Sequence, residues 1–180
     1  MSGPRIIAGA WKGRNLAVPA GMGTRPTNIR ARQAVFDILA HAPWCRLPGA
    51  RVLDVFAGTG AYGLEALSRG ADFACFLEQD PLALAALQAN IRACKAENSR
   101  VIGTDALRPP IGTEQDLVFL DPPYGQALLA PALVALQRQG WISSKTILVA
   151  ELGPGDEIAT PETLVERRHG KAWVKIFRMN

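Results

Sequence analysis

Cysteine is scarce in this chain: Cys45, Cys75 and Cys94 are the three among 180 residues, and no two form a C-x-x-C pair. So small and scattered a set excludes a disulfide framework and supplies no zinc-binding pattern. With two histidines as well, there is no His/Cys cluster, and no metal is expected. Long apolar runs are also missing. The stretch from Ala127 to Leu136 is too short to cross a bilayer and carries Pro131. Met1 is followed by Ser2-Gly3-Pro4-Arg5, with no apolar core of a secretory leader. These lacks predict a soluble, cytoplasmic protein without membrane attachment, and nothing demands more than a monomer. The last absence is local. Before Asp37 there is no acidic residue, while Arg5, Lys12, Arg14, Arg25, Arg30 and Arg32 are all basic. The formal net charge of +4 permits a nucleic-acid partner, but this one-sided start is the sharper electrostatic clue.

What is present suits one domain with a sizeable core: 48% of residues are hydrophobic and 20% charged. We read residues 1–180 as a single domain, with 1–45 a basic extension and 46–180 the core that carries the chemistry. In the extension, Arg5 to Ala8 and Asn15 to Val18 predict a hairpin around the turn Trp11-Lys12-Gly13-Arg14. A helix opens near Thr27, a candidate N-cap, with Val35, Ile38 and Leu39 on one face. Beyond it, apolar strands alternate with helices. Strands are predicted at Arg51–Phe56, Phe73–Glu78, Arg100–Gly103, Asp116–Asp121 and Thr146–Glu151. Helices are predicted at Tyr62–Ser68, from Pro81 to about Lys95, and from about Ala127 to Gln139. Such strands are too apolar to face water, as in a parallel sheet covered by helices. No helix fits between Thr163–Arg168 and Ala172–Met179, so these two must pair antiparallel.

Asp54-Val55-Phe56-Ala57-Gly58-Thr59-Gly60-Ala61-Tyr62-Gly63 ends the first of these strands and opens a helix. The G-x-G-x-x-G spacing from Gly58 to Gly63 is the dinucleotide pattern, which is weak when it stands alone. Asp54 argues against phosphate. A carboxylate at the strand's end repels a pyrophosphate but attracts the ammonium and sulfonium of S-adenosylmethionine. Glu78 ends the second strand, where an acid can accept the two hydroxyls of a ribose, and Asp105 follows the third, within reach of an adenine amine. A helix cap or a solvated loop accounts for any one of these acids. Acids after three successive strands, beside a glycine turn, place a ligand in the crevice at the strands' carboxyl ends.

Asp121-Pro122-Pro123-Tyr124 follows the fourth strand at the same edge. Proline-rich exits from strands are common, so the tetrad needs a chemical reason. An exocyclic base amine is a poor nucleophile because its lone pair is delocalised into the ring. A carboxylate and a carbonyl that both accept from the amine favour the pyramidal form, whose lone pair is free to attack. Asp121 and the Pro122 carbonyl suit those roles, proline having removed an N–H and stiffened the chain. Tyr124 offers a face for an extruded base.

Several stretches together resemble the RsmD-type bacterial 16S ribosomal RNA guanine-N2 methyltransferases. They are Arg5-Ile6-Ile7-Ala8-Gly9, Trp11-Lys12-Gly13-Arg14, Arg25-Pro26-Thr27, Arg30, Phe36, Asp54 to Gly60, Gly63 to Ala71, and Phe119 to Tyr124. The resemblance spans essentially the whole chain. It implies a Rossmann-like class I fold, in which a mostly parallel seven-stranded sheet ends in an antiparallel C-terminal hairpin and carries a small N-terminal hairpin and helix. It further implies that Asp121, Pro122, Pro123 and Tyr124 hold the guanine amine, and that Asp54, Phe56, Gly58, Gly60, Glu78 and Asp105 hold S-adenosylmethionine. Arg5, Trp11, Lys12, Arg14, Arg25, Thr27 and Arg30 would contact 16S rRNA within a small-subunit particle. Gln33 stands where an acid is expected. Tyr62 stands where a smaller aliphatic residue is usual, and is expected to reshape the cofactor turn. Three other readings compete. A DNA adenine or cytosine amino-methyltransferase would need a target-recognition domain, which the chain is too short to hold. An NAD-dependent dehydrogenase conflicts with Asp54, and a noncatalytic RNA-binding module leaves the tetrad without a purpose.

Overall fold

Apolar runs of four to six residues, each closed by a turn, become the central strands of one sheet. The computed structural model describes residues 4–19, 26–153, 156, 158–169 and 172–179. In chain order the elements are α1 (Pro26–His41), β1 (Arg51–Val55), α2 (Ala61–Ser68), β2 (Phe73–Glu78), α3 (Pro81–Cys94), β3 (Ser99–Gly103), β4 (Leu117–Leu120), α4 (Leu129–Arg138), β5 (Ile147–Leu152), β6 (Glu162–His169) and β7 (Ala172–Arg178). The sheet order is β3-β2-β1-β4-β5-β7-β6. Strands β1 to β5 are parallel, and β7 runs antiparallel to both β5 and β6.

The strand burial follows from this order. β4 and β5 are buried at every position, being covered on both faces, while the edge strand β3 is only partly covered. On one face Val35 and Phe36 of α1, Leu64 of α2 and Leu87 of α3 pack over Val52, Phe76, Phe119 and Val149. On the other, Leu129, Leu133 and Leu136 of α4 pack over Leu53, Val118 and Leu148. Helix α3 starts where the sequence supplies both a cap and a stop. Asp80 accepts from the Ala83 amide at 2.7 Å, Pro81 occupies the first turn, and Lys95 closes the helix in a left-handed conformation.

The N-terminal segment forms a hairpin shorter than predicted. An antiparallel bridge joins Arg5 to Asn15, flanked by backbone hydrogen bonds from Ile6 to Arg14, Gly13 to Ile6 and Leu16 to Pro4, but no ladder extends to Ala8 or Val18. Side chains of α2 and α3 take up the backbone groups beyond it. Glu65, fully buried, accepts from the Ile7 and Ala8 amides at 2.7 and 3.0 Å, and from Arg69 Nε at 2.6 Å. Ser68 accepts from the Trp11 amide at 3.0 Å and donates to the Ala8 carbonyl at 2.6 Å. The chain runs so close here that a β-carbon on Gly9 would lie 1.7 Å from the Ser68 carbonyl oxygen. Asn90 finishes the seam. Its amide bonds both the N–H and the carbonyl of Ala17, and also donates to the Thr59 carbonyl at 3.0 Å. Helix α1 begins at Pro26, so Thr27 lies inside the first turn and not at the cap. Arg25 and the Thr27 side chain lie outside the described residues.

Candidate active site

Parallel strands that stop at one level leave a crevice at their carboxyl ends, and the predicted acids gather there. Leaving β1, the chain turns through Phe56, Gly58 and Gly60, all with positive φ (60°, 53° and 79°), before α2 begins. For a phenylalanine this conformation is costly, which marks a turn held in place by its surroundings. One of the holding groups is Glu78, at the end of β2. It accepts from the Gly58 amide at 2.7 Å, and from the Gln79 and Asp80 amides at 2.8 Å each. Asp105, after β3, accepts from the Leu107 amide at 2.9 Å and sits 3.5 Å from Arg108.

A cavity of about 750 Å³ opens between these groups. Phe56, Gly58, Glu78 and Asp105 line it, and so do all four residues from Asp121 to Tyr124. The volume suits a cofactor-sized molecule. The structure therefore brings the third-strand and second-strand acids onto one surface with the tetrad.

Asp54 is placed differently. It is buried, accepts from the Gly63 amide at 2.8 Å, and lines a smaller hollow of about 180 Å³. That hollow shares Phe56, Gly58, Thr59 and Asp121 with the larger cavity, and Arg32 and Tyr62 complete its wall. Burial drives the Asp54 carboxyl up to about 7; the Gly63 amide and Arg32 oppose that rise, and Glu78 adds to it.

Behind the tetrad lies a polar group that the sequence did not reveal as a set. Glu151, next to last in β5, is fully buried, and the Tyr62 hydroxyl donates to it. Burial raises the Glu151 carboxyl, opposed by hydrogen bonding from Tyr62, by Arg32 and by Tyr124. Burial also raises Tyr62 well above its ordinary value, helped by the charges of Glu151 and Asp121. Arg32 donates to the Arg5 carbonyl at 2.6 Å, and burial lowers its pKa against the pull of Glu65 and Asp54. Tyr124 rests against Gly153, where a β-carbon would come within 2.7 Å of the ring. Tyr62 also stacks on Phe119, with ring centroids 4.9 Å apart. Its size is thus taken up by the core and by Glu151 beneath the turn. A signal for Arg32 existed: it stands three and four residues before Val35 and Phe36, on the stripe that α1 buries.

The predicted RNA-contacting residues divide. Arg5, Lys12 and Arg30 are exposed. Trp11 is half-buried and packs on the core, while the Arg14 guanidinium donates to the Ala93 carbonyl. Among the described residues no group of three or more His, Cys, Asp or Glu side chains is placed to hold a metal ion, and no helix is long and apolar enough to cross a membrane.

A seven-stranded sheet in this order, with its penultimate strand reversed and its ligand crevice beyond β1, β2 and β4, is the Rossmann-like architecture of class I methyltransferases. Comparison with known proteins agrees. A family described as Conserved hypothetical protein 95 matches residues 4–178. Ribosomal RNA small subunit methyltransferase D of Escherichia coli (strain K12) is 40% identical over 149 residues, covering 82% of this chain and 73% of that protein. The Haemophilus influenzae protein of the same name is 35% identical over 167 residues, covering 88% of this chain and 83% of its own length. The solved structure of the Escherichia coli protein yhhF superposes with a TM-score of 0.85 at 34% identity, covering 98% of both chains. The chain belongs to this family of RsmD-type methyltransferases.

Proposed function

We propose that this protein transfers a methyl group from S-adenosylmethionine to the exocyclic N2 amine of a guanine in 16S ribosomal RNA. The carrying observation is the shared cavity, where Glu78 and Asp105 face the same space as Asp121 to Tyr124. Its donor set fits the cofactor: a carboxylate for ribose hydroxyls, another for an adenine amine, and a turn where Gly58 leaves the backbone open to close approach. Gly60, which lines neither cavity, makes room for Leu87 and Phe76. Asp54 lies where a cationic amino-acid portion gains most from a carboxylate. When bound, S-adenosylmethionine supplies an electrophilic methyl group.

The chain's own residues then act on the acceptor. The Asp121 carboxylate and the Pro122 carbonyl accept hydrogen bonds from the two N–H groups of the guanine amine and hold its lone pair out of conjugation. As the N–C bond forms and the methyl–sulfur bond breaks, the one proton the amine sheds passes to Asp121 and on to solvent. Tyr124, backed by Gly153 and Glu151, stacks on the base. Pro123 keeps the segment stiff. Rate enhancement comes from positioning and hydrogen bonding, with no covalent intermediate on the enzyme. Exposed Arg5, Lys12, Arg14 and Arg30 attract the RNA phosphates, and Trp11, Arg25 and Thr27 are assigned to the same RNA contact on the family resemblance. The particle that presents this RNA is a small-subunit assembly, met by a monomer in the cytoplasm. Within the domain, residues 1–45 engage RNA while 46–180 carry the cofactor and the chemistry.

The test is methyl transfer from labelled cofactor to protein-free rRNA, small subunits and DNA, with the modified base mapped. Label on guanine N2 of 16S rRNA is the expected result; label confined to DNA would overturn the reading.

The Asp54 shift adds a pH dependence. Ionised Asp54 attracts the cofactor's cation, so affinity should fall as pH drops through about 7. The limiting slope is about tenfold per pH unit. For folding the sign is reversed. A carboxyl raised from 3.8 to about 7 holds its proton more tightly when folded, so its contribution is full at low pH and lost as pH rises across that interval. Calorimetric titration with S-adenosylmethionine from pH 6 to 8.5 checks the binding half; a flat profile would remove the Asp54 charge from recognition.

A further inference from the structure

Beyond the basic N-terminal segment, a second charged and aromatic surface lies at the same edge of the sheet as the crevice. Strand β7 starts at the level where β5 ends, with Trp173 paired to Leu152. Since Leu120 pairs with Ala150, Leu152 stands level with the start of the tetrad, one strand over. Trp173 therefore lies two strand spacings from β4, about 10 Å across the sheet, at the edge where the tetrad emerges. It is 40% exposed, unlike its neighbours Val174, Ile176 and Phe177, which are fully buried.

The charge of the hairpin that carries this ring is net positive. From Glu162 to Arg178 the hairpin carries five basic residues and two acids. Both acids face cations of the hairpin itself: Glu166 lies 3.9 Å from Lys175, and Glu162 lies 3.7 Å from Arg178. Arg167 and Arg168 are exposed near the turn, and the sequence adds Lys171 between the strands. Arg168 pairs with Trp173 and so shares its face, while Arg167 pairs with Val174 on the opposite face.

We infer that the end of the β6–β7 hairpin is a second RNA-contact surface, where Trp173 stacks on a nucleotide near the target and Arg167 meets the backbone. The hairpin end presents the ring and Arg168 on one face and Arg167 on the other, so a single strand passing over that end can give a base face to the ring and a phosphate to Arg167. The tetrad at the end of β4 then lies between two basic surfaces, one on the β1 side and one on the β7 side. This inference rests on the proposal that the substrate is RNA.

Equilibrium binding of protein-free 16S rRNA and of small subunits, with S-adenosylhomocysteine present, tests it on the full chain. Trp173→Ala should weaken binding to both by about tenfold, Trp173→Phe should bind almost as the parent does, and cofactor affinity should not move. Arg167→Gln, at an exposed position, should weaken RNA binding about threefold and make the dependence on log salt less steep by about one. This variant decides the matter alone if Trp173→Ala fails to fold. Unchanged RNA affinity in Arg167→Gln and a folded Trp173→Ala would overturn the inference. Losses confined to small subunits would also overturn it, by assigning the surface to a protein partner. A parent protein that methylates rRNA while these variants bind normally rejects this surface alone; a parent that methylates no RNA rejects the reading beneath it.

Discussion

Asp121→Ala should retain cofactor affinity and lose methyl transfer by about 10²–10³-fold, on the scale seen when one preorganised hydrogen-bonding group is removed from a reacting centre. That loss corresponds to about 3–4 kcal/mol of transition-state stabilisation. The effect should fall on kcat, because the acceptor amine needs Asp121 most when its lone pair leaves conjugation. Asp121 borders both the large cavity and the small hollow, whereas Glu78 and Asp105, proposed to hold the cofactor, line the large cavity alone. The amino-acid portion of the cofactor gains little from Asp121 if Asp54 faces it. Single-turnover methylation with saturating cofactor, beside a calorimetric Kd, separates the two roles. A variant that methylates at the parent rate would remove the carboxylate from the mechanism. A variant that loses cofactor affinity in the same proportion would move Asp121 into the cofactor site.

The second large effect is on stability. Glu65→Ala removes the acceptor of two backbone amides and one guanidinium while burying what remains. Breaking a buried, charge-assisted cluster of this kind costs about 3–5 kcal/mol. For a domain of this size that lowers the Tm by about 10 °C. The damage should be uneven. With the Ile7 and Ala8 amides released, the segment carrying Arg5, Lys12 and Arg14 should become open to trypsin well before the core does. Glu65→Gln keeps an acceptor and should fall between the two. A Tm within about 2 °C of the parent would show that the seam contributes little.

The sheet was legible because its strands are short apolar runs punctuated by turns, and burial on both faces leaves few other arrangements. Helix α3 was legible for a local reason as well, with Asp80 and Pro81 at its start. The crevice acids could be read from position alone, since Glu78 and Asp105 follow strands that end at one edge. Glu65 and Glu151 were not legible as anchors. The amides that Glu65 accepts lie 57 and 58 residues away and Tyr62 lies 89 from Glu151, so nothing adjacent in the chain announces these long-range ties. The N-terminal hairpin was legible in outline, since Pro4, Ile6, Gly13, Arg14 and Leu16 exchange backbone hydrogen bonds across it. Its flanking amides at Ile7, Ala8, Trp11 and Ala17 were not, because they go to Glu65, Ser68 and Asn90. Asp54 was read correctly as an acid at a strand end, yet its tie to the Gly63 amide depends on how α2 folds back.

Asn90 carries a consequence of its own. One buried amide group spans the N-terminal segment at Ala17 and the glycine turn at Thr59. Neither side can shift alone without leaving a buried donor or acceptor unmatched. On the proposed function, a shift of Thr59 on cofactor binding would pass to the N-terminal segment. By thermodynamic reciprocity, RNA that reordered that segment would alter cofactor affinity by the same factor. Asn90 would then be the side chain through which the two substrates sense each other.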